Sequence, residues 1–220
     1  MYLRNVLGAT IFVSMVAFAQ PAATNDTAFQ VRYAANLQFG ESYIDVINTG
    51  ANGAPLLGPG FGGASGNICV NVYAFSPDEQ LISCCSCFLT PNAVANIGVN
   101  RDLTSKTLTG APVTSVTVKL LATLAGAGGT GGSSTCNNSA ATAGTATIVN
   151  GMAAFGTTLH QTPVAGSFAT TETQFTPSSL SPGELASISG RCASILGNGS
   201  GFGVCPSCRA GALGSPSLPH

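Results

Sequence analysis

The chain has 220 residues, of which only 7% are charged, and its formal net charge is −1. Because no basic cluster is present, the sequence lacks the electrostatic footprint that capture of nucleic acid or anionic lipid requires. The chain also has eight cysteines, so its fold depends on whether it matures in a reducing or an oxidising compartment.

The first 19 residues have the layout of a secretory signal peptide. Arg4 supplies a positive start, residues 6–18 are apolar, and Ala17-Phe18-Ala19 forms a small-x-small cleavage site. The apolar run is shorter than the roughly 20 residues that span a bilayer, so cleavage is favoured over a membrane anchor. The sequence therefore predicts a secreted or periplasmic protein with no transmembrane segment in its mature chain.

Residues 20–176 are predicted to form a β-rich domain. The clearest signal is a hairpin over 68–89, in which apolar residues alternate and Ser76-Pro77-Asp78-Glu79 forms a type I turn. Short strands separated by Gly/Pro-rich turns indicate an antiparallel β-sandwich, Ig-like in general architecture. Further strands are predicted at 43–48, 113–124, 145–160 (broken at Gly151) and 166–175.

Residues 177–220 are predicted to hold one helix and a Cys/Gly-rich C-terminal segment, packed on the same domain. Ser181-Pro182-Gly183-Glu184 reads as a capping box with proline at the first helical position. An apolar stripe at helical spacing follows and ends at Gly197. Its members are Leu185, Ile188, Cys192, Ile195 and Leu196. Cys192 is therefore predicted to face whatever the helix packs against.

An even number of cysteines in an exported chain indicates disulfide bonds. All eight cysteines are predicted to be structural, namely Cys69, Cys84, Cys85, Cys87, Cys136, Cys192, Cys205 and Cys208. On a strand, Cys85 and Cys87 point to one face and Cys84 points to the other. Cys136 lies in a Gly/Ala/Ser/Thr loop, which its bond is expected to tie down.

The hairpin makes one disulfide pairing testable. A five-residue loop (76–80) places Cys69 opposite Cys87, whereas a four-residue loop places it opposite Ser86. Since a disulfide joins directly opposed strand positions better than diagonal ones, Cys69–Cys87 is predicted. A second predicted bridge joins Cys192 to Cys205 or Cys208, and the remaining connectivity is left open.

Zinc binding and thiol redox chemistry are the alternatives to a structural role for the cysteines. Cys84-x-x-Cys87 and Cys205-x-x-Cys208 resemble the halves of a zinc site, and Cys205-Pro-Ser-Cys208 resembles a thioredoxin-type redox pair. The zinc site is disfavoured because the two CxxC motifs are far apart in the sequence and because an oxidising compartment favours disulfides. The redox pair lacks the flanking strand and helix that lower the pKa of the first thiol. No metal or cofactor is predicted.

Two further candidate sites involve histidine and carboxylate side chains. His160 could belong to a hydrolase triad assembled from distant positions, although a lone histidine at a strand end is more often a surface residue. Glu41 and Asp45 share a strand face and could form a glycosidase pair. The chain has no tryptophan and four tyrosines, which leaves a sugar-binding cleft poorly equipped, so solvated carboxylates are favoured.

Several stretches resemble a set of secreted proteins from soil bacteria of the acidobacterial group. They are "NTGANGAPLLGPGFGG", "GNICVNVYAFSPDEQLISCCSC", "GMAAFGTTLH" and "NGSGFGVCPSCR". The resemblance covers most of the mature chain and implies a bacterial host, but it implies no activity, ligand or fold.

The sequence therefore predicts an exported, disulfide-stabilised, non-catalytic structural or binding module of the cell envelope or exterior. Its partner is expected to be an unidentified protein or surface, and self-association is left open. The alternatives are a metal-binding or thiol-redox protein using the two CxxC pairs and a secreted hydrolase built around His160.

Overall fold

The computed structural model describes residues 26–54, 66–107, 110, 112–125, 136, 140–205 and 209–210. These residues form two antiparallel five-stranded sheets. Sheet A has the order β4-β3-β6-β1-β9 and sheet B the order β10-β5-β2-β7-β8. The strands of sheet A are β1 (Phe29–Ala34), β3 (Ile68–Phe75), β4 (Leu81–Leu89), β6 (Val116–Leu124) and β9 (Thr176–Pro177). Those of sheet B are β2 (Tyr43–Asn48), β5 (Val94–Gly98), β7 (Met152–Gln161), β8 (Phe168–Gln174) and β10 (Arg209–Ala210).

Among the described residues one α-helix, α1 (Pro182–Gly197), lies between β9 and β10. Its predicted cap is confirmed, because the Glu184 backbone N–H donates to Ser181 Oγ at 3.1 Å. Shorter helical segments are the 3₁₀ turns Leu37–Phe39 and Ala140–Gly144 and the π-helical turn Val99–Thr104. In the described part of the chain, no helix has the length and apolar character that crossing a membrane would take.

The main core lies between the two sheets, as a sandwich requires. Alternation along β3 sends Ile68, Val70 and Val72 into this core, where they meet Ile44 and Val46 of β2. All five side chains are fully buried. The antiparallel β-sandwich is thus confirmed, with the alternation read from the sequence placing the inward residues.

A second core covers the outer face of sheet A. Tyr73, on the opposite side of β3, packs with Ile188 of α1 and with the 3₁₀ turn Ala140–Gly144. The Tyr73 hydroxyl donates to Ala140 O at 2.7 Å, and burial raises the pKa of this phenol. Sheet A is therefore sandwiched between sheet B and a helical layer, and its central strands are buried on both faces.

The two sides of the sandwich are closed differently. On one side the chain passes directly from β8 in sheet B to β9 in sheet A through Phe175, which is 1% exposed. On the other side the C-terminal segment pairs with sheet A through Cys84 N–H and Gly203 O at 2.9 Å, and then with sheet B as β10. The described residues 203–205 and 209–210 thus lie along the edges of both sheets.

Four strands of the described structure were not predicted, namely β1, β5 and the two-residue strands β9 and β10. β1 turns Gln30 and Arg32 towards sheet B and Phe29 towards α1, so two of its three inward positions are polar and only Ala34 is apolar. The Arg32 guanidinium is buried and donates to Thr158 Oγ1 at 2.7 Å and to Thr173 Oγ1 at 3.2 Å. Its pKa is lowered by burial. β5 has five residues, and its inward apolar side chains are those of Ala95 and Ile97, which is too short an alternation to indicate a strand.

Candidate functional site

The cysteine cluster on β4 is the most densely cross-linked part of the described structure. Cys84 and Cys85 are adjacent in sequence and point to opposite faces of sheet A, as predicted. Cys84 bonds Cys192 of α1, with the two Cα atoms 5.9 Å apart. Cys85 bonds Cys205 of the C-terminal segment, with the two Cα atoms 5.3 Å apart. The adjacent residues Cys84 and Cys85 therefore link sheet A to α1 on one face and to the C-terminal segment on the other.

A third bond joins β3 to Cys136. Cys69 bonds Cys136, and both are nearly fully buried beside Ala125. The loop that Cys136 is expected to tie down lies outside the described residues. Cys87 is disulfide-bonded as well, and none of the described cysteines is free. The predicted use of these cysteines in disulfides is confirmed.

The predicted Cys69–Cys87 pairing is wrong, and the cause is a bulge. The hairpin loop does have five residues, 76–80, but Ile82 is an additional residue on β4 that displaces every later pair by one. Cys69 therefore lies opposite Phe88 rather than Cys87. Diagonal strand positions are too far apart for a disulfide.

The predicted bridge from Cys192 to Cys205 or Cys208 is also wrong. Cys192 does lie on the buried face of α1, as the stripe predicted, but that face packs on the outer side of sheet A, where Cys84 is. Cys205 lies in the core between the sheets and reaches Cys85. Sheet A separates the two cysteines that were expected to join. Cys208 lies outside the described residues.

These bonds bear directly on the metal and redox alternatives. Cys84 and Cys87 point to opposite faces of sheet A, and each is bonded to a cysteine outside its own CxxC motif. Cys205 is bonded to Cys85, so its sulfur is not exchanging with the other cysteine of its motif. Among the described residues no group of three or more metal-binding side chains is present.

A groove of about 300 Å³ lies between α1 and the β3–β4 turn. The Phe75 ring forms part of it, with Lys119 Nζ 4.7 Å from the ring centroid and Arg191 Cζ 6.0 Å from it. Lys119 also forms an ion pair with Glu184, and Arg191 donates to Glu79 O at 2.9 Å. The groove thus concentrates charge of both signs around one aromatic ring.

Sequence reading missed this groove because its residues come from three separate segments, namely the end of β3 with its turn, β6 and α1. Lys119 is an isolated lysine on β6, and Arg191 is an isolated arginine on α1. Neither belongs to a motif. Only the docking of α1 on sheet A, directed by Cys192 and the apolar stripe, brings them to the same ring. The one sequence signal was that Glu184 and Arg191 lie four residues before and three residues after Ile188, and so beside the apolar stripe of α1.

A second cleft, of about 560 Å³, lies near the start of the described chain and is lined by Asp26, Asn52 and Asn150. The Asp26 carboxylate accepts hydrogen bonds from the Gly151 N–H and from Thr49 Oγ1, the latter at 3.0 Å. Its oxygens are therefore engaged in holding the turn before β7. This arrangement secures a loop junction and presents amide groups to solvent.

His160 lies near the exposed end of β7, as expected for a strand-end histidine. Its Nε2 is 2.8 Å from Thr171 Oγ1 on the neighbouring strand β8. Within the described ranges no carboxylate is hydrogen-bonded to its ring, so the structure assembles no Ser-His-Asp arrangement around it there.

Glu41 and Asp45 hold backbone and amide groups. Glu41 accepts from the N–H groups of Asn100 and Arg101, at 2.7 and 3.0 Å, and so caps the π-helical turn. Asp45 accepts from Asn96 Nδ2 at 2.8 Å. The two carboxylates serve different local structures rather than one cleft.

Comparison with protein-family models finds no match, and neither does comparison with curated proteins or with solved structures. The functional interpretation therefore depends on the chain's own residues.

Proposed function

We propose that this protein is an exported, disulfide-stabilised module that acts as a structural or binding element at or beyond the bacterial cell envelope, without catalysing a reaction. The observation that carries the proposal is the pair of adjacent cysteines on β4. Their bonds tie α1 to one face of sheet A and the C-terminal segment to the other. Cross-links of this kind persist in oxidising compartments and are rare in the cytosol.

The first 19 residues support export. They have the charged start, apolar run and small-residue cleavage site of a signal peptide. The resemblance to acidobacterial secreted proteins agrees with a bacterial host and with the periplasm or exterior as the destination. Low charge across the chain suits a module whose surface is covered by uncharged polar side chains.

The engagement of the reactive side chains supports a role that is not catalytic. Of the cysteines that redox or zinc chemistry would require, the described ones, Cys84, Cys87 and Cys205, are held in buried disulfides. His160 is hydrogen-bonded to Thr171 at the exposed end of a hairpin. The helix–sheet groove, in contrast, presents Lys119 and Arg191 around Phe75, which is an arrangement suited to recognition of a polar partner.

The experiment that tests the proposal is mass spectrometry of the secreted product. We expect the mature chain to begin at Gln20 and, under denaturing non-reducing conditions, to be lighter than the reduced chain by one hydrogen per cysteine, with no alkylatable thiol. Peptide mapping should recover the three described bonds. By count it should also link Cys87 to Cys208, the one cysteine that these bonds and Cys87 leave over.

A control expresses the chain without residues 1–19, which should remain inside the cell and carry alkylatable thiols. Free thiols or stoichiometric zinc in the exported product would favour the metal or redox alternative instead. Retention of the full-length chain in the cytoplasm would refute the proposal that the protein is exported.

A further inference from the structure

The exposed edges of the two sheets are protected to different extents. In the described structure, the β4 edge of sheet A receives the C-terminal segment through Gly203, and β9 at the other edge has two residues and ends on Pro177. Sheet B ends on one side at the two-residue β10. Its other edge is β8, which has seven residues and is exposed from Phe168 to Thr173.

The backbone groups on this edge can be assigned from the β7–β8 register. Phe175 N–H donates to Ala154 O at 2.8 Å, and Thr162 N–H donates to Ser167 O at 3.2 Å. Both bonds continue the regular register of the hairpin. Since alternate residues of an antiparallel strand direct their backbone groups to opposite sides, those facing away from β7 belong to every second residue. They are Phe168, Thr170, Glu172 and Gln174.

We propose that β8 pairs in an antiparallel manner with β8 of a second copy of this chain, about a two-fold axis at Thr171. This register places Thr170 opposite Glu172 of the second copy and Phe168 opposite its Gln174. Each of the four residues with outward backbone groups is then matched to another such residue, as a two-strand ladder requires. The result is one continuous sheet across both molecules.

Charge favours this register over its neighbours. Glu172 is the only charged residue of β8, and the register places it opposite a threonine. A shift that centres the axis on Glu172 sets the two carboxylates opposite each other, which is unfavourable, and leaves Phe168 unmatched. A shift that centres it on Thr170 leaves Gln174 unmatched. A chain net charge of −1 adds little repulsion between copies.

Strand composition agrees with pairing. β8 contains three threonines, which are β-branched, and no proline or glycine. A strand that natural selection protects from pairing usually has a lysine, a proline or a bulge at its centre. β8 has none of these among its residues, and Glu172 is its single charge. Pairing of this kind depends on the exposed strand β8 and not on the compartment in which the protein resides.

A cross-linking experiment tests the register. At the proposed axis Thr171 lies opposite Thr171 of the second copy, in the pair type whose side chains are closest. With glutathione disulfide as the oxidant, two T171C thiols should become one disulfide and yield a covalent dimer on non-reducing gels. A169C is the matched control, because it lies on the same face but opposite Thr173 of the second copy. Cross-linking of A169C as efficient as that of T171C would overturn the proposal.

Sedimentation velocity tests the edge itself. The wild type should show concentration-dependent dimerisation. T170P, which removes an outward N–H from each copy, should weaken the dimer by about tenfold or more, whereas T170V retains the N–H and should dimerise like the wild type. Comparable unfolding midpoints for the two variants would show that T170P still folds, and the T171C result does not depend on it. A wild type that remains monomeric, or a T170P variant that dimerises equally well, would refute the proposal.

Discussion

Asn48 is the residue through which the ends of the two sheets are held together. It is fully buried at the end of β2, and its Nδ2 donates to Gly66 O at 2.9 Å and to Leu89 O at 3.0 Å. Its Oδ1 accepts from Gly50 N–H at 3.0 Å. One amide therefore satisfies backbone groups of sheet A, of the turn after β2 and of the segment before β3.

Replacing this amide should be costly. N48A leaves two buried carbonyls and one N–H without their partner, so we expect the free energy of unfolding to fall by about 2–4 kcal/mol. Chemical denaturation of the oxidised protein measures the change. N52A is the control, because Asn52 is less buried and makes a single described hydrogen bond, to Asn150 O at 2.6 Å. A loss for N48A no larger than that for N52A would contradict the role assigned to Asn48.

Residue type also explains why β1 escaped sequence reading. A pattern search assumes that inward strand positions are apolar. In β1 they include Gln30, which donates to Met152 O at 2.6 Å, and Arg32, which donates to two threonines of sheet B. The strand is held in place by polar contacts between the sheets, and these exist only when both sheets are present.

At the level of elements, the β3–β4 hairpin was predictable in most respects. The turn is confirmed by the hydrogen bond from Glu79 N–H to Ser76 O at 3.0 Å, and the alternating faces of β3 are confirmed as well. The extra residue Ile82 was not predictable, because Leu-Ile-Ser gives no local sign of a bulge. Cys69–Cys87 was wrong because the bulge changes the strand register. The pairing of Cys192 was wrong because the sequence does not say which face of sheet A the helix covers.

The two disulfides from the adjacent cysteines should control different elements. Replacing Cys84 and Cys192 with alanine removes a link across 108 residues, and we expect it to lower the free energy of unfolding by about 2–4 kcal/mol. Since this bond joins α1 to sheet A, amide hydrogen exchange should accelerate selectively in α1.

The matched control replaces Cys85 and Cys205 with alanine, which removes a link across 120 residues on the other face. Its overall loss of stability should be similar, but the acceleration of exchange should appear at Gly203 and β10 instead of α1. Identical exchange patterns in the two variants would show that the bonds do not act on separate layers.

At the scale of the whole molecule, the three layers are joined by bonds whose sulfur atoms are buried. The described cysteines are at most 6% exposed, the largest value being that of Cys69. Attack on a disulfide requires that a thiolate or a phosphine reach a sulfur atom. Reduction should therefore require opening of the fold rather than simple contact with the reagent.

This accessibility argument gives a direct test. Incubation with a phosphine reductant and iodoacetamide in native buffer should leave the mass of the folded protein unchanged, whereas the same treatment in guanidinium should alkylate every cysteine. A surface cysteine introduced by V164C provides an internal control, because Val164 is 67% exposed and its replacement should be alkylated in native buffer. Rapid alkylation of Cys84 or Cys85 without denaturant would contradict the burial of these bonds.

The order of the cysteines along the chain has a consequence for biosynthesis. Cys69, Cys84 and Cys85 are made before Cys136, Cys192 and Cys205, and none of the three described bonds joins two members of the first group. If the chain were oxidised when only Cys69, Cys84 and Cys85 had been synthesised, any disulfide among these three would be non-native. Such bonds would have to be exchanged later. Correct disulfide pairing in this protein therefore requires either delayed oxidation or a disulfide isomerase. The yield of correctly folded protein should change when either of these conditions is changed.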